Sequence, residues 1–272
     1  MNNCATISIL GCGWLGLPLA QTLQQQGYTV KGSTTHPDKL SQLSEQGIDA
    51  YLINFSPEIN DDYRSEFFDS EILLVNIPPK RNEGGAGQYP HQIISLLKMV
   101  KTPPLQKLLF ISSTSVYPNV NGRVSESDTS YQVKASGQAL LTAEQMVRKR
   151  VAATTILRFG GLFGPDRNPG HFLAGKTLGS SGKVPINMIH QDDCIAIIAE
   201  ILRQEAWGEV FNACADEHPA KEDFYGVAAR RYGFDPPCFS ATEEDCYKIV
   251  DSSKLKERLG YQFKYPDPTQ AL

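Results

Sequence analysis

The chain has 272 residues, of which 41% are hydrophobic and 21% are charged, a composition that excludes extended disorder and allows a sizeable core. Its 26 lysines and arginines against 30 aspartates and glutamates leave a net charge of -4, which argues against a broad cationic surface and so against a nucleic-acid partner. No apolar run reaches the roughly 18 residues of a transmembrane helix, so no membrane partner is expected.

The six cysteines include no C-x-x-C pair and form no cluster with histidine at zinc-finger spacing. We therefore expect no bound metal. A disulfide framework is also not expected at this low cysteine density, and a reducing, cytoplasmic location is predicted.

The first half of the chain predicts strands that alternate with helices. Residues 5–10 (ATISIL) form a short apolar run that ends at a glycine, as a buried parallel strand does. A helix is predicted next, because Leu15, Leu19 and Leu23 recur at helical spacing before Gly27 ends the pattern. Further predicted strands cover 28–32, 50–54, 72–75, 107–111 and 154–158, and further predicted helices cover 89–101 and 137–150.

This alternation predicts a parallel sheet that is covered on both faces by helices. The C-terminal third of the chain shows few strands, so we expect it to form a smaller mixed lobe. Its predicted helices cover 194–202, 221–232 and 252–259. The predicted fold class is therefore α/β, with a Rossmann-like, doubly wound parallel sheet and a smaller C-terminal lobe.

A glycine-rich segment lies between the first predicted strand and the first predicted helix. Residues 11–16 (GCGWLG) match G-x-G-x-x-G in the context that this motif requires. One glycine permits the tight turn, the second lets a pyrophosphate approach the backbone, and the third lets helix and strand pack closely. The alternative is a glycine-rich turn without a ligand. The residues predicted to bind a dinucleotide here are Gly11, Gly13, Trp14, Leu15 and Gly16.

The end of the second strand predicts which dinucleotide is bound. NAD sites usually place a carboxylate there to bind the ribose 2′-hydroxyl, but this chain has no acidic residue before Asp38. Hydroxyl groups and a histidine could instead bind a 2′-phosphate, so NADP is favoured and NAD stays possible. An ordinary strand-to-helix loop is the alternative. The residues concerned are Ser33, Thr34, Thr35 and His36.

Several segments, in the same order along the chain, resemble the short-chain dehydrogenase/reductase superfamily in its extended, NAD(P)-dependent epimerase/dehydratase-like form. These segments are 112–117 (SSTSVY), 157–165 (LRFGGLFGP), 189–193 (IHQDD), 208–212 (GEVFN) and 255–261 (LKERLGY). The chain is identified as a member of the atypical, YeeZ-like branch of that family. The resemblance implies a Rossmann fold, an NAD(P) cofactor and a small polar substrate.

The same resemblance implies a division into domains. Residues 1–165 are predicted to form the dinucleotide-binding domain, and 186–213 are predicted to return to it. Residues 166–185 and 214–272 are predicted to form the smaller substrate lobe. The oligomeric state is left open.

Further site residues follow from the resemblance. Ser113 occupies the position of the family's catalytic Ser/Thr, although its hydroxyl could equally satisfy a loop backbone group. Tyr117 could supply a catalytic phenol, with a packing role as the alternative. Contacts with the cofactor are predicted for Asn76, Ile77, Pro78 and Ser112.

The chain departs from the family at the catalytic Tyr-x-x-x-Lys pair. The family's helical glutamate corresponds to Glu144, so tyrosine is expected at position 136 and lysine at position 140. The chain has Ser136 and Leu140 there. Tyr131 and Lys134 lie nearby but with two residues between them, a spacing that does not match the pair. The usual hydride-transfer apparatus is therefore predicted to be absent.

A group of basic residues follows the G-P of the 157–165 segment, where the resemblance places the start of the substrate lobe. They could bind an anionic substrate, such as one that carries a nucleotide phosphate. The alternative is a solvated helix face, and for His190 a structural role. The residues predicted to bind substrate are Arg167, His171, Lys176 and His190.

Two functions are therefore considered. The first is an NAD(P)-binding, epimerase- or reductase-like protein that acts on a small polar, possibly nucleotide-linked molecule without the Tyr-x-x-x-Lys pair. The second is a non-catalytic NADP-binding sensor or regulatory protein.

Overall fold

A computed structural model describes residues 5–54, 66–79, 85–100, 104–128, 134–240 and 246–272. Within these ranges the chain forms a seven-stranded parallel sheet flanked by helices, which confirms the predicted Rossmann-like class. None of the helices in the described ranges is long and apolar enough to cross a membrane.

The strands agree with the predicted ones to within a residue or two, and shorter ones are added. The short strands of two or three residues were not predicted, because so few residues show no periodicity. In chain order the strands are β1 Thr6–Leu10, β2 Thr29–Thr34, β3 Asp49–Leu52, β4 Ile72–Val75, β5 Lys107–Ser113, β6 Gly122–Val124, β7 Ala153–Phe159, β8 Gly161–Phe163, β9 Thr177–Leu178, β10 Met188–His190, β11 Val210–Ala213, β12 Cys238–Phe239 and β13 Lys248–Val250.

The helices likewise include the predicted ones. Two short helices, α2 and α5, were not predicted. The helices are α1 Gly16–Gln25, α2 Lys39–Glu45, α3 Gly85–Met99, α4 Ala135–Arg150, α5 Pro169–Leu173, α6 Gln191–Arg203, α7 Lys221–Arg231 and α8 Ser253–Leu259.

The order of strands in the main sheet decides where a ligand can bind. The order is β11-β7-β5-β4-β1-β2-β3, so β1 lies between β2 and β4. Both neighbours run parallel to β1, and Leu10 at its end is level with Val75 at the end of β4. Strands β2 and β3 are added on one side of β1 and the later strands on the other, so the strand order changes direction at β1. Open α/β sheets bind ligands at the carboxyl ends of the strands at such a switch point.

The core of the sheet follows from the apolar strands. Every residue of β4 is buried, and Ile7 and Ile9 of β1 have no exposed surface. The helix α1 buries Leu19 and Leu23, as its helical spacing predicts.

The described chain divides into two compact units. The first comprises Met1–Val116, Val133–Leu157 and Ile201–Val210, and the second comprises Tyr117–Gln132, Arg158–Glu200 and Phe211–Leu272. The functional division predicted from the sequence, with a boundary at residue 165, stays a prediction.

The second unit contains more strands than the sequence predicts. Three small parallel pairs form, β8 with β10, β9 with β12 and β6 with β13. A buried carboxylate also links distant segments of this unit. Asp193 in α6 accepts hydrogen bonds from the Tyr261 hydroxyl at 2.7 Å and from the backbone nitrogens of Lys264 at 2.7 Å and Tyr265 at 3.2 Å. The segment after α8 is thereby tied to the start of α6.

Candidate functional site

The glycine loop is held from two sides at Gly11. The backbone nitrogen of Gly11 donates to Ser33 Oγ at 2.9 Å, and its carbonyl oxygen accepts from Asn76 Nδ2 at 3.0 Å. Gly11 has a φ of 105°, which favours glycine, and a Cβ there would lie 2.7 Å from the Asn76 carbonyl oxygen. A Cβ at Gly16 would lie 2.2 Å from the Gly11 carbonyl oxygen, so helix α1 packs directly on the loop. Two of the three glycines are therefore required by the protein's own packing.

Gly13 differs from the other two glycines. A Cβ there would meet no other atom of the described protein within 4 Å, and Gly13 is exposed. The helix α1 begins at Gly16 without a side-chain cap on its N-terminus, which leaves backbone N–H groups for an anion. Of the intervening residues, Trp14 is half-buried and Leu15 is buried. The donors and the open approach at Gly13 fit a pyrophosphate.

The hydroxyl groups at the end of β2 have different surroundings. Ser33 and Thr34 are buried, and Thr34 Oγ1 accepts from the backbone nitrogen of His36 at 3.1 Å. Thr35 and His36 are exposed. The side chains that remain accessible to a ligand are thus those of Thr35 and His36, whereas the hydroxyls of Ser33 and Thr34 shape the loop.

Comparisons with known proteins decide the family. Residues 11–205 match a family model described as NAD(P)H-binding. Protein YeeZ of Escherichia coli strain K12 is 35% identical over 266 residues, which cover 96% of this chain and 97% of YeeZ. The chain belongs to the NAD(P)H-binding family. Its predicted YeeZ-like membership is confirmed, and so is a nicotinamide cofactor of the NAD(P) type.

Solved structures share the fold of this family member. UDP-glucuronic acid 4-epimerase from Bacillus cereus, in complex with NAD, is 21% identical with a TM-score of 0.78, covering 98% of this chain and 96% of that one. UDP-glucose 4-epimerase from Thermotoga maritima, with UDP-glucose, is 18% identical with a TM-score of 0.75, covering 95% of this chain and 94% of that one. At these identities the likeness shows the fold alone.

The segment after β4 supports the glycine loop from the side. Asn76 directs its amide nitrogen to the Gly11 carbonyl, as described above, and the Ile77 carbonyl accepts from the buried Tyr89 hydroxyl of α3 at 2.8 Å. Pro78 is exposed at the end of this segment. The predicted cofactor contacts of Asn76, Ile77 and Pro78 stay predictions. The described contacts show that Asn76 holds the glycine loop and that Ile77 is itself held by Tyr89 of α3.

Two adjacent serines end β5, and their hydroxyls have different partners. Ser112 Oγ donates to the buried Glu144 carboxylate of α4 at 2.6 Å, so this serine is engaged within the core. Ser113 is half-buried and its Oγ accepts from the backbone nitrogen of Ser115 at 3.1 Å. Its own proton has no acceptor among the described residues. Of the two, Ser113 is therefore the serine that can donate to a ligand.

The two positions at which the sequence analysis expects the tyrosine and the lysine lie on α4. Ser136 is exposed in the first turn, and Leu140 is buried in the core. Lys134 is exposed immediately before the helix, and Tyr131 lies outside the described residues. The predicted absence of the Tyr-x-x-x-Lys pair stays a prediction.

Tyr117 lies in a buried polar network of the second unit. Its hydroxyl donates to Asn212 Oδ1 at 2.9 Å and accepts from an Arg158 guanidinium nitrogen at 2.5 Å. Burial raises the pKa of the Tyr117 phenol to about 12, and the Arg158 charge and the two hydrogen bonds offset only part of that effect. A buried phenol with so high a pKa is a poor acid or base near neutral pH. The geometry favours the packing alternative for Tyr117 over the catalytic one.

The network extends beyond Tyr117. The backbone nitrogen of Asn212 donates to Glu126 Oε1 at 2.6 Å, and Asn212 Nδ2 donates to the Asp251 carbonyl at 3.1 Å. Burial raises the pKa of the Glu126 carboxyl. Sequence reasoning missed this arrangement. The resemblance segments contain Arg158 and Asn212, but nothing in them indicates that Tyr117 joins the two.

The residues predicted to bind substrate lie in different surroundings within the second unit. Arg167 is half-buried in the turn after β8. His171 is exposed with its ring 5.5 Å from that of Phe234, and the exposed Lys176 donates to the Phe172 carbonyl at 2.8 Å. His190 is buried at the end of β10. The predicted substrate role of these four residues stays a prediction.

We expect Gly13→Val to abolish dinucleotide binding without unfolding the protein. A Cβ at this position would meet no atom of the described residues within 4 Å, so the valine side chain would enter the open approach to the loop, where the pyrophosphate is expected to lie. Calorimetric titration with NADPH and NADH should show at least a tenfold loss of affinity, with a urea midpoint close to that of the unaltered protein. Gly16→Val is the matched control, because its Cβ collides with the Gly11 carbonyl and should lower stability as well. Unchanged NADPH affinity in Gly13→Val contradicts this assignment.

We expect Tyr117→Phe to lower the free energy of unfolding by roughly 1–3 kcal/mol, since Arg158 and Asn212 each lose a buried partner. Urea unfolding measures the loss. If Tyr117 were instead a catalytic acid, any turnover would fall by about 10²–10⁴. A loss of that size in a variant of unchanged stability would refute the structural role.

Proposed function

We propose that the protein binds NADP in preference to NAD at the glycine loop. The observation that carries this proposal is the open approach at Gly13 together with the exposed Thr35 and His36, in a loop with no carboxylate before Asp38. The Thr35 hydroxyl can donate to a 2′-phosphate, and a protonated His36 can add a positive charge. Because neither of these positions has a carboxylate, no negative charge there repels the phosphate.

We further propose that the protein is an epimerase- or reductase-like enzyme that acts on a small polar, possibly nucleotide-linked substrate. When bound, the nicotinamide accepts or donates a hydride. Ser113 supports this role, because it lies at the carboxyl end of β5, where open α/β sheets bind ligands, with a hydroxyl proton left to donate. The two epimerases described above, whose names include UDP-glucuronic acid and UDP-glucose, support a nucleotide-linked substrate.

The proposed chemistry does not use the Tyr-x-x-x-Lys pair. Ser136 and Leu140 stand at the expected positions, and a buried leucine can neither move a proton nor hold a ribose hydroxyl. Ser113 would orient a substrate carbonyl or hydroxyl, and the exposed His171 and Lys176 would attract an anionic substrate. We propose a cytoplasmic location, in keeping with the five free cysteines among the described residues.

A second function, a non-catalytic NADP-binding sensor, is favoured by one specific observation. The phenol of Tyr117, which could have replaced the missing tyrosine, is engaged by both Arg158 and Asn212 in the buried network. Such a protein would keep the glycine loop and the hydroxyl loop and would report the NADP level without turnover.

We expect Thr35→Asp to reverse the preference between the two dinucleotides. A carboxylate at this exposed position repels the 2′-phosphate of NADPH and accepts a hydrogen bond from the ribose 2′-hydroxyl of NADH. The ratio of the NADPH and NADH dissociation constants should change by about 10–100-fold, from the roughly 1.5–3 kcal/mol of a charged hydrogen bond. Thr35→Asn is the control, since it has nearly the same shape and no charge. Equal ratios in the two variants would argue against NADP selection by this loop.

Turnover distinguishes the enzyme from the sensor. With NADPH or NADP and a panel of nucleotide-sugars, we expect the unaltered protein either to change the absorbance of the nicotinamide band, as net reduction or oxidation does, or to convert a sugar to its epimer, which chromatography detects because epimerisation regenerates the cofactor. Ser113→Ala should reduce either rate about 10²-fold or more. NADPH affinity should be unchanged in Ser113→Ala, because the hydroxyl acts on the substrate. Tight NADPH binding without turnover of any substrate in the panel would favour the sensor. Equal rates in both proteins would exclude Ser113 from the chemistry.

A further inference from the structure

A buried tyrosine of α3 lies behind the glycine loop of the first unit. Tyr89 has no exposed surface, so it cannot contact a ligand itself. Its hydroxyl donates to the carbonyl oxygen of Ile77 at 2.8 Å, two residues beyond the end of β4. The proposed function gives this side chain no role. Any effect of Tyr89 on a bound ligand must therefore pass through the Ile77 peptide.

The Ile77 peptide lies where the chain leaves the sheet. Strand β1 ends at Leu10, whose carbonyl accepts from the backbone nitrogen of Asn76 at 2.9 Å. Pro78 follows Ile77, and a proline has no N–H to donate and restricts the residue before it to extended backbone. The hydroxyl of Tyr89 thus fixes the direction of the Ile77 carbonyl at the point of departure from β4.

Gly11 of the glycine loop packs on the same two residues. A Cβ at Gly11 would lie 2.7 Å from the Asn76 carbonyl oxygen and 3.3 Å from Ile77 Cγ2. The side-chain amide of Asn76 also donates to the Gly11 carbonyl at 3.0 Å. Because the two segments are in such close contact, a shift of Asn76 or Ile77 moves Gly11 as well.

The surroundings of Tyr89 keep its hydroxyl protonated and in place. Burial raises the pKa of the Tyr89 phenol well above its usual range, and the negative charge of Glu144 on α4 raises it further. Glu144 is itself buried and accepts from the Ser112 hydroxyl at 2.6 Å. A phenol that does not ionise near neutral pH stays a hydrogen-bond donor to Ile77.

We propose that Tyr89 is a positioning residue for the dinucleotide site, acting on Gly11 through Ile77 and Asn76. This inference rests on the proposed binding of a dinucleotide at the glycine loop. The loop is proposed to bind the pyrophosphate, which NADP and NAD share. The Tyr89 hydroxyl should therefore raise the affinity for both dinucleotides by the same factor, unlike Thr35, which is proposed to distinguish them.

Tyr89→Phe tests this role, because it removes the hydroxyl and keeps the ring in the core. Calorimetric titration should show about three- to tenfold weaker binding of both NADPH and NADH, as expected for one buried hydrogen bond, and an unchanged ratio of the two dissociation constants. Tyr261→Phe is the matched control. It also loses a hydroxyl bonded at 2.7 Å, to Asp193 of the second unit, and should lower stability without changing either affinity.

A double-mutant cycle tests the path from Tyr89 to Gly11. Asn76→Ala removes the side-chain hydrogen bond to the Gly11 carbonyl. In that background, Tyr89→Phe should weaken NADPH binding by less than about twofold further, because the two substitutions act on the same link.

A measurement on the unaltered protein needs no variant to fold. Coupling between two sites is reciprocal, so saturating NADPH should slow the exchange of the Tyr89 hydroxyl proton with solvent by about three- to tenfold. The Tyr261 hydroxyl proton is the internal control and should exchange at the same rate with and without NADPH. Nuclear magnetic resonance measures both rates.

Several outcomes would overturn the positioning role. They are equal dinucleotide affinities in Tyr89→Phe and the unaltered protein, an equal loss in Tyr261→Phe, independent effects in the double-mutant cycle, a loss confined to NADPH, and no binding of either dinucleotide to the unaltered protein at millimolar concentration. If Tyr89→Phe does not fold, an unchanged exchange rate of the Tyr89 hydroxyl proton overturns it. The proposed NADP preference fails separately, if the unaltered protein binds NADH at least as tightly as NADPH while Tyr89→Phe still weakens both.

Discussion

The two hydrogen bonds to the Gly11 peptide are the constraint on which the dinucleotide site depends. Ser33 from the end of β2 and Asn76 from the end of β4 hold the nitrogen and the oxygen of the same residue. They can do so because β1 lies between β2 and β4, so that the three strands end side by side. The loop between β1 and α1 therefore has its shape before a ligand arrives, which reduces the entropic cost of binding.

The polar residues around the glycine loop have different roles. The hydroxyls of Ser33 and Thr34 stabilise the loop from within, and Thr35 and His36 face solvent next to them. The same separation occurs at β5, where Ser112 binds Glu144 in the core and Ser113 keeps a hydroxyl proton to donate. At both strand ends, buried hydroxyls are engaged within the protein, whereas neighbouring polar side chains are exposed or half-buried.

In the second unit, buried polar groups connect segments that lie far apart in the sequence. Asp193 holds the chain beyond α8 through three hydrogen bonds, and the Tyr117 hydroxyl joins Arg158 to Asn212. Groups satisfied so completely stabilise one arrangement and are unsuited to proton transfer. His190 differs from these groups, because its Nδ1 accepts from the backbone nitrogen of Asp192 and the residue lines a cavity of about 190 Å³.

The sequence by itself determined the alternation of strands and helices, the Rossmann class and the glycine loop. These features rest on local signals, namely apolar runs, helical spacing and a motif of six consecutive residues. Only the tertiary structure decided which polar groups are engaged. Both Ser33 and Thr35 are hydroxyl residues of one short segment, and the sequence does not show that the first is buried and the second exposed. The hydrogen-bond partner of Tyr117 lies 95 residues away at Asn212. A hydrogen bond between segments so far apart depends on how strands and helices pack, and no local pattern of residues encodes that packing.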